Sequence, residues 1–212
     1  PDDVVSECGA DTMRLYEMFI GDFEKSAPWS STSIKGCKRF LDRIWSLQDN
    51  LIDGNEYRDE IKTLMHKTIK KVTEDIEEMK FNTAIASMMA LLNEISAIGT
   101  INKRGYKDLL IILNPFAPHI TEEIFEAQKF GGYVHGQPWV KFDEKLCVDS
   151  TIEIVAQING KVKTKLVIDV NADKDSVIAL AKSDDKIKEA INEKTIVKEI
   201  YVPQKLVNFV VK

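Results

Sequence analysis

The chain has 212 residues and a mass of 24.0 kDa, with 44% hydrophobic and 30% charged residues. This composition excludes disordered, collagenous and disulfide-stapled proteins, and the length suits one large domain or two smaller ones. The net charge of −5 argues against a general nucleic-acid coat. Residues 1–145 hold 18 basic and 24 acidic residues, whereas residues 146–212 hold 11 and 10, so any contact with a polyanion must be local.

Membrane insertion and disulfide bonding are not expected. The longest uncharged stretches, residues 82–93 and 109–121, fall short of the roughly 18 apolar residues of a membrane span. Cys8, Cys37 and Cys147 are odd in number and lack CxxC spacing or a nearby histidine, so neither a disulfide nor a zinc site is indicated. We expect a cytoplasmic location. Because the chain does not begin with methionine, we also expect a piece of a longer protein.

Apolar residues recur at helical spacing from residue 11 to residue 136, which predicts an all-helical region. A first helix is expected to begin at Asp11 or Thr12, whose side chains can cap it, and to stop at Gly21. A second helix follows the hydroxyl caps of residues 30–33 and ends by Asp53-Gly54.

Four further helices are predicted before residue 131. They span residues 57–79, 81–99, 106–113 and 120–130, with two prolines between the last two. Because the connections are short, neighbouring helices are expected to pack antiparallel.

The pattern changes in residues 131–145, which hold three glycines, a proline and no clear period. We therefore place a domain boundary here, with residues 136–150 as a linker. Two alternating segments around Asn159-Gly160 then predict a hairpin, residues 175–193 predict one or two helices, and two more strands end the chain. The expected fold class is mainly α: an antiparallel helical bundle followed by a small α+β module of β-β-α-β-β order.

The hairpin register follows from its apolar face. A two-residue turn would set Ile158 opposite Lys161 and mix the two faces, so a three-residue loop with Gln157 opposite Lys161 is expected. One face of the second strand then carries three cations at intervals of about 6.6 to 6.8 Å, a spacing compatible with a phosphate backbone. They are Lys161, Lys163 and Lys165. An equally weighted alternative is a soluble edge with Lys165 opposite Glu153.

Nothing in the sequence indicates an active site. His66, His119 and His135 lie far apart and lack metal-ligand spacing, and Cys37 has no activating residue nearby, so core packing is favoured for it. Nucleotide-cradling and nucleophile-elbow motifs are absent. The three tryptophans, Trp29, Trp45 and Trp139, are interpreted as anchors of a core or loop rather than base-stacking residues.

Several strings resemble known tRNA ligases. HKTI at 66–69, FNTAI at 81–85 and LNPFAPHITEE at 113–123 resemble the helical tRNA-binding bundle of class I aminoacyl-tRNA synthetases for aliphatic amino acids. QINGKVK at 157–163 and IYVPQKLVN at 200–208 resemble the C-terminal module of the bacterial-type leucyl-tRNA synthetase family. The opening strings PDDVV and GADTMRLY resemble the segment that follows the KMSKS loop in that family.

The resemblance implies a division of labour along the chain. Residues 1–30 would connect to a preceding catalytic domain, residues 31–135 would form the bundle along the inner side of the tRNA, and residues 151–212 would form a module at the tRNA corner. The catalytic and editing domains would be missing. This chain would then hold no catalytic residue, metal or cofactor, while the full enzyme would use ATP and magnesium. The implied partner is leucine-accepting tRNA, not DNA or a membrane, and a monomer is expected.

The candidate tRNA-binding residues combine this resemblance with charge. Lys161, Lys163 and Lys205 would contact phosphates, and Asn159 and Gly160 would shape the loop that presents them.

On the bundle the candidates are Arg39, Lys67 and Lys70, although the lysines of that helix also fit a solvated face. The family often has arginine where Lys163 stands, and lysine cannot make the same two-pronged contact with a phosphate.

Two other readings remain open. The bundle could support the catalytic domain while the C-terminal module binds a protein partner, as the acidic helical half would favour. The second is a free-standing hydrolase that uses Cys37 or His66. It would need these side chains to meet in a cleft with an orienting acid.

Overall fold

The computed structural model describes residues 1–22, 25–149, 151–192 and 194–212, with the backbone alone for Ser31. Residues 23 and 24 of the predicted connecting segment, residue 150 of the predicted linker and residue 193 of the predicted helical range lie outside this description. The chain divides into two units, residues 1–147 and 148–212. Each unit has its own hydrophobic core.

The first unit is helical. Its helices are α1 (Asp2–Cys8), α2 (Ala10–Phe19), α3 (Ser31–Ser46), α4 (Asp59–Glu77), α5 (Phe81–Ile98), α6 (Lys103–Leu113) and α7 (Pro118–Ala127). Two short strands of this unit, β1 (Leu51–Ile52) and β2 (Ile101–Asn102), pair with each other in parallel. The prediction of a mainly helical chain is confirmed. Helix α1 was not predicted, because its apolar face is short: only Val4 and Cys8 pack against the core, and both are half-buried.

The core of the first unit forms where the apolar stripes meet. Ile61, Met65, Ile69 and Val72 of α4 are fully buried, as their spacing predicts, and α4 packs against α5. Cys37 is also fully buried in this core, which confirms its predicted packing role.

Helix α5 is long and apolar enough, by length and composition, to span a membrane. The uncharged stretch at 82–93 ends before Glu94 and is too short for a span, so a count of uncharged residues does not predict one here. Six of its side chains are buried in the core of the first unit: Ala84, Ile85, Met88, Leu91, Leu92 and Ile95. A core helix meets the same criterion, so the finding is weak evidence for a membrane. Gly99 ends the helix in the left-handed conformation, at φ 84°.

Asp11 does not cap the helix that it was expected to begin. Gly9 is the N-cap residue of α2, and no side chain caps that end. The Asp11 carboxylate instead accepts hydrogen bonds from the backbone N–H groups of His119 and Ile120, at 3.3 and 2.6 Å, in the first turn of α7. Asp11 therefore joins α2 to α7.

The second unit is a four-stranded sheet with two helices. Its elements are β3 (Thr151–Ile158), β4 (Lys161–Asp169), α8 (Lys174–Ser183), α9 (Asp185–Ile191), β5 (Ile196–Val202) and β6 (Leu206–Val211). The strand order is β4-β3-β6-β5, with β3 and β6 parallel and the other neighbours antiparallel. Phe209 is fully buried at the centre of the second core.

The hairpin between β3 and β4 differs from the predicted register. The turn has two residues, Asn159 and Gly160, and Ile158 pairs with Lys161. A β-bulge follows: Gln157 pairs with Val162 but Ala156 pairs with Thr164, so Lys163 is the extra residue.

The expectation that the three lysines share one face is therefore wrong. Paired residues point to the same side of a sheet. Lys161 pairs with Ile158, which is buried, whereas Lys165 pairs with Val155 on the opposite face. The predicted register would set Val162 opposite Ala156 on the apolar face, but Val162 is 57% exposed.

Candidate nucleic-acid interface

The tip of the β3–β4 hairpin is tied to the last strand. Asn159 and Gly160 both have positive φ, 48° and 79°, as a two-residue turn of type I′ requires. The Asn159 side chain accepts a hydrogen bond from Val211 N at 2.9 Å and donates one to Val211 O at 3.1 Å. Gly160 N donates to the Asn208 side chain at 3.0 Å. Hydrogen bonds from both turn residues thus tie the loop to β6.

Three of the predicted cations in this unit are exposed. Lys161, Lys163 and Lys205 all lie at the surface, and none of them makes an ion pair with the residues that the structure describes. Their charge is available to a polyanion.

Lys205 lies apart from the hairpin tip. It directly precedes β6, and its carbonyl accepts from Val155 N at 3.2 Å, whereas the tip lies beside Phe209. The two positions are therefore separated by about 13 Å along the strand direction. Asn159, Gly160, Lys161 and Lys163 form one local group, and Lys205 would have to contact a different phosphate.

Lys165 is neutralised by Glu153. Their side chains meet at 2.8 Å, and this contact raises the pKa of Lys165. The alternative of a soluble edge thus holds for Lys165, although Glu153 lies diagonal to it rather than directly opposite.

The bundle candidates lie on two different helices. Arg39 is exposed on α3, whereas Lys67 and Lys70 lie on α4. Lys70 contacts Glu144 at 2.7 Å, which raises the pKa of the lysine, and it lies over the Phe142 ring. Its charge helps to hold residues 142–144 against α4.

Sequence reasoning missed a group of cations around α6. Arg104 and Lys107 of this helix line a cavity of about 420 Å³, together with Trp139 and Lys141. The signal was present, because Arg104 and Lys107 are three residues apart and so share a helix face. Their approach to Trp139, however, depends on the tertiary fold.

Another cavity of the first unit has the opposite charge. It measures about 720 Å³ and is lined by Glu122, Glu123 and Glu126. Burial opposes ionisation of Glu122, but hydrogen bonds from the Val134 and His135 amides hold its pKa below the usual value. This surface repels phosphate.

Neither Cys37 nor His66 has the environment of a catalytic residue. Burial raises the pKa of the Cys37 thiol to about 11, which disfavours the thiolate. Burial lowers the pKa of His66, whose Nδ1 accepts from the Asp143 amide at 3.1 Å. Among the described residues, no cluster of three or more histidine, cysteine or acidic side chains could hold a metal. The hydrolase reading thus has no support.

Comparison with known proteins points to tRNA ligases. Residues 59–178 match the family described as the anticodon-binding domain of tRNA ligase. Over its whole length the chain is 56% identical to the leucine–tRNA ligase of Alkaliphilus oremlandii (strain OhILAs), covering 26% of that protein. It is 42% identical to the leucine–tRNA ligases of Borreliella afzelii (strain PKo) and Chlorobaculum tepidum, again over the whole chain, covering 25% and 27% of them. The chain spans about a quarter of the length of these relatives.

A solved structure shares the fold. The crystal structure of the ternary complex of Agrobacterium radiobacter K84 agnB2 LeuRS with tRNA and LeuAMS aligns with 100% of this chain and 30% of that chain. The TM-score is 0.72 and the sequence identity 27%.

Proposed function

Because this chain belongs to the family of tRNA-ligase anticodon-binding domains, we propose that it is the tRNA-binding C-terminal part of a leucine–tRNA ligase. The observation that carries the proposal is sequence identity to leucine–tRNA ligases along the whole chain. This similarity includes the C-terminal strings, which the family match at 59–178 covers only in part. The ligase attaches leucine to its tRNA at the expense of ATP, with magnesium, in the cytoplasm. Those steps belong to catalytic and editing domains outside this chain.

The proposed architecture has two working parts. Residues 31–135 act as an antiparallel bundle of the class I synthetase type along the tRNA, and residues 1–30 connect it to the catalytic domain. The predicted linker at 136–150 packs largely on the first unit, through Val140 and Trp139. After it, the β-β-α-β-β module of residues 151–212 contacts the tRNA corner. The protein acts as a monomer.

The mechanism is positional. Lys161 and Lys163 contact phosphates beside the tip formed by Asn159 and Gly160, and Lys205 contacts a further phosphate. Because β6 fixes the tip through Asn159, little conformational entropy is lost when the RNA binds. Binding energy collected here holds the acceptor end of the tRNA in register with a distant active site. On the bundle, Arg39, Lys67 and Lys70 add weaker contacts.

Binding of leucine-accepting tRNA to the 212-residue chain tests this proposal. We expect weak binding with a shallow salt dependence, because few phosphates are neutralised. The double variant Lys161→Glu/Lys163→Glu should weaken binding about tenfold at low salt and reduce the slope of log K against log [salt] by about 1 to 2.

A matched control changes the same net charge elsewhere in the module. Lys174 and Lys186 are exposed near the starts of α8 and α9 and make no ion pair within the described residues. The variant Lys174→Glu/Lys186→Glu should bind like the parent. Equal affinity of the parent and the hairpin variant would refute the hairpin assignment and favour the alternative, in which the chain supports the catalytic domain and the module binds a protein.

A further inference from the structure

A groove in the first unit combines cations with an exposed aromatic ring. We call it the Trp139 groove and define it by Arg104, Lys107, Ile111, Trp139 and Lys141, which line the cavity of about 420 Å³. Its volume lies within the range of about 300 to 1,000 Å³ typical of small-ligand sites. One wall is α6, and the other is the extended chain around residue 139.

The groove is positively charged although residues 1–145 are acidic overall. Asp108 is its one carboxylate, and this side chain accepts hydrogen bonds from Tyr57 Oη and Arg104 Nε, both at 2.6 Å. This ion pair also neutralises Arg104, so Lys107 and Lys141 are the cations of the groove that remain unpaired within the described residues. Lys107 is half-buried with its ammonium 5.3 Å from the Phe125 ring centroid, a contact that leaves its charge intact. Lys141 is exposed and forms no ion pair in the described part of the chain.

Trp139 is anchored by one edge. Its Nε1 donates to Thr73 Oγ1 at 2.9 Å, and the side chain remains 37% exposed. The described residues make no ring contact with it. An indole that is fixed at its edge and partly exposed toward a cavity can stack on a flat ligand without losing rotamer freedom.

A second cavity continues the groove. It measures about 300 Å³, shares Arg104 and Lys141 with the first and adds Lys62 from α4 together with the carboxylates of Glu56 and Asp143. The added acids outnumber the added lysine, so the net positive charge is concentrated in the Trp139 groove.

We propose that the Trp139 groove binds one unpaired nucleotide of RNA, with its base stacked on Trp139 and its flanking phosphates at Lys107 and Lys141. Stacking needs an open base face, which single-stranded or looped RNA offers and a duplex does not. The proposal rests on the proposed function for the source of the RNA, an unpaired nucleotide of the bound tRNA. It places the main contact of the helical unit here rather than at Arg39, Lys67 or Lys70.

Tryptophan fluorescence can test the groove directly. In the full chain carrying Trp29→Phe and Trp45→Phe, Trp139 is the sole tryptophan. A short single-stranded RNA of four nucleotides should quench its emission in a saturable manner, whereas a blunt RNA duplex of the same sequence should quench it far less. Absence of saturable quenching by the single strand would overturn the proposal.

Variants separate stacking and charge from folding. In a titration that follows labelled RNA, Trp139→Ala should weaken binding of the single strand about tenfold relative to the parent chain, as loss of one stacked base predicts. Trp139→Phe keeps a ring that can stack and should lose less affinity than Trp139→Ala. Thr73→Val frees the edge of the indole and should also weaken binding by less than Trp139→Ala. Lys107→Gln/Lys141→Gln should weaken binding about tenfold and lower its salt dependence. The control Lys35→Gln/Lys129→Gln removes two exposed charges away from the groove and should leave binding unchanged.

The two proposals can fail separately. If tRNA binds the parent and the hairpin variant weakens it but the groove variants do not, the groove proposal is wrong and the proposed function stands. If the short RNA binds at Trp139 but leucine-accepting tRNA does not bind the chain, the proposed function is wrong and the groove stands. Equal quenching by an acidic peptide would show a site for anions in general and would overturn the assignment to RNA.

Discussion

The Asp11 carboxylate holds the first turn of α7, 108 residues further along the chain. The side chain is 8% exposed and also contacts His119 Nδ1 at 2.7 Å. Asp11→Ala removes a helix cap and leaves two amide donors without this acceptor, so we expect the first unit to lose about 2 to 3 kcal/mol of stability. Urea unfolding followed by tryptophan fluorescence measures this, because all three tryptophans lie in the first unit.

Glu17→Ala is the matched control. Glu17 is an exposed acidic residue on the same helix, α2, so its removal should change stability by less than about 0.5 kcal/mol. Asp11→Asn keeps an oxygen acceptor and should fall between the two. If Asp11→Ala unfolded at the same urea concentration as the parent, the link between α2 and α7 would have no energetic weight.

The sequence predicts the environment and contacts of some residues but not of others. Cys37 could be placed in the core because its neighbours Ile34, Leu41 and Ile44 repeat at helical spacing. The partner of Asp11 could not be found, because an acid near a helix start fits a local cap equally well. Trp139 shows the same limit: its sequence neighbours indicate an anchor, and its hydrogen bond to Thr73 agrees. The cations of α6 reach it only in the folded chain.

The β3–β4 hairpin depends on Asn159 in two ways. This residue adopts a left-handed conformation, which asparagine tolerates better than most residues, and its side chain makes both hydrogen bonds to Val211. We expect Asn159→Ala to destabilise the second unit by about 2 to 4 kcal/mol, from two lost hydrogen bonds and backbone strain. Hydrogen exchange of the Val211 amide should become faster as the second unit loses stability.

A second substitution separates the two contributions. Asn159→Gly loses the same hydrogen bonds but relieves the backbone strain, so its cost should be about 1 to 2 kcal/mol smaller than that of alanine. Identical exchange rates in alanine and glycine variants would show that backbone strain contributes nothing. If the Val211 amide exchanged at the parent's rate in both variants, the hairpin tip would not contribute to the stability of the module.

The register of this hairpin shows what alternation can and cannot predict. Beyond the bulge the observed pairing differs from the predicted one by two residues, and a shift of two residues keeps every side chain on its original face. The apolar pattern that places Leu166 and Ile168 inside therefore fits both pairings. The Asn159-Gly160 turn and its bonds to β6 decide between them, and β6 begins more than forty residues later. The extra residue at the bulge, Lys163, then returns the following side chains of β4 to the faces that alternation predicts. Strand positions were therefore predictable, but which lysines share a face was not.

At the scale of the whole molecule, the two units bury separate sets of residues. The change from helical to alternating pattern was visible in the sequence because each core imposes its own period on its elements. The structure divides the chain at Cys147, within the segment that the sequence predicts as a linker.

Two separate cores predict two separate unfolding transitions. Phe209 is fully buried in the small second unit, so Phe209→Ala should cost about 3 to 5 kcal/mol there, enough to unfold much of a domain of this size. Far-ultraviolet circular dichroism, which sees both units, should then show part of the amplitude lost at low urea. Tryptophan fluorescence, which reports on the first unit alone, should keep its midpoint. Phe209→Leu retains most of the buried volume and should shift the second transition much less. If the fluorescence midpoint fell together with the dichroism signal in the alanine variant, the units would unfold as one cooperative body, and the hairpin and the Trp139 groove could no longer be treated as independently variable.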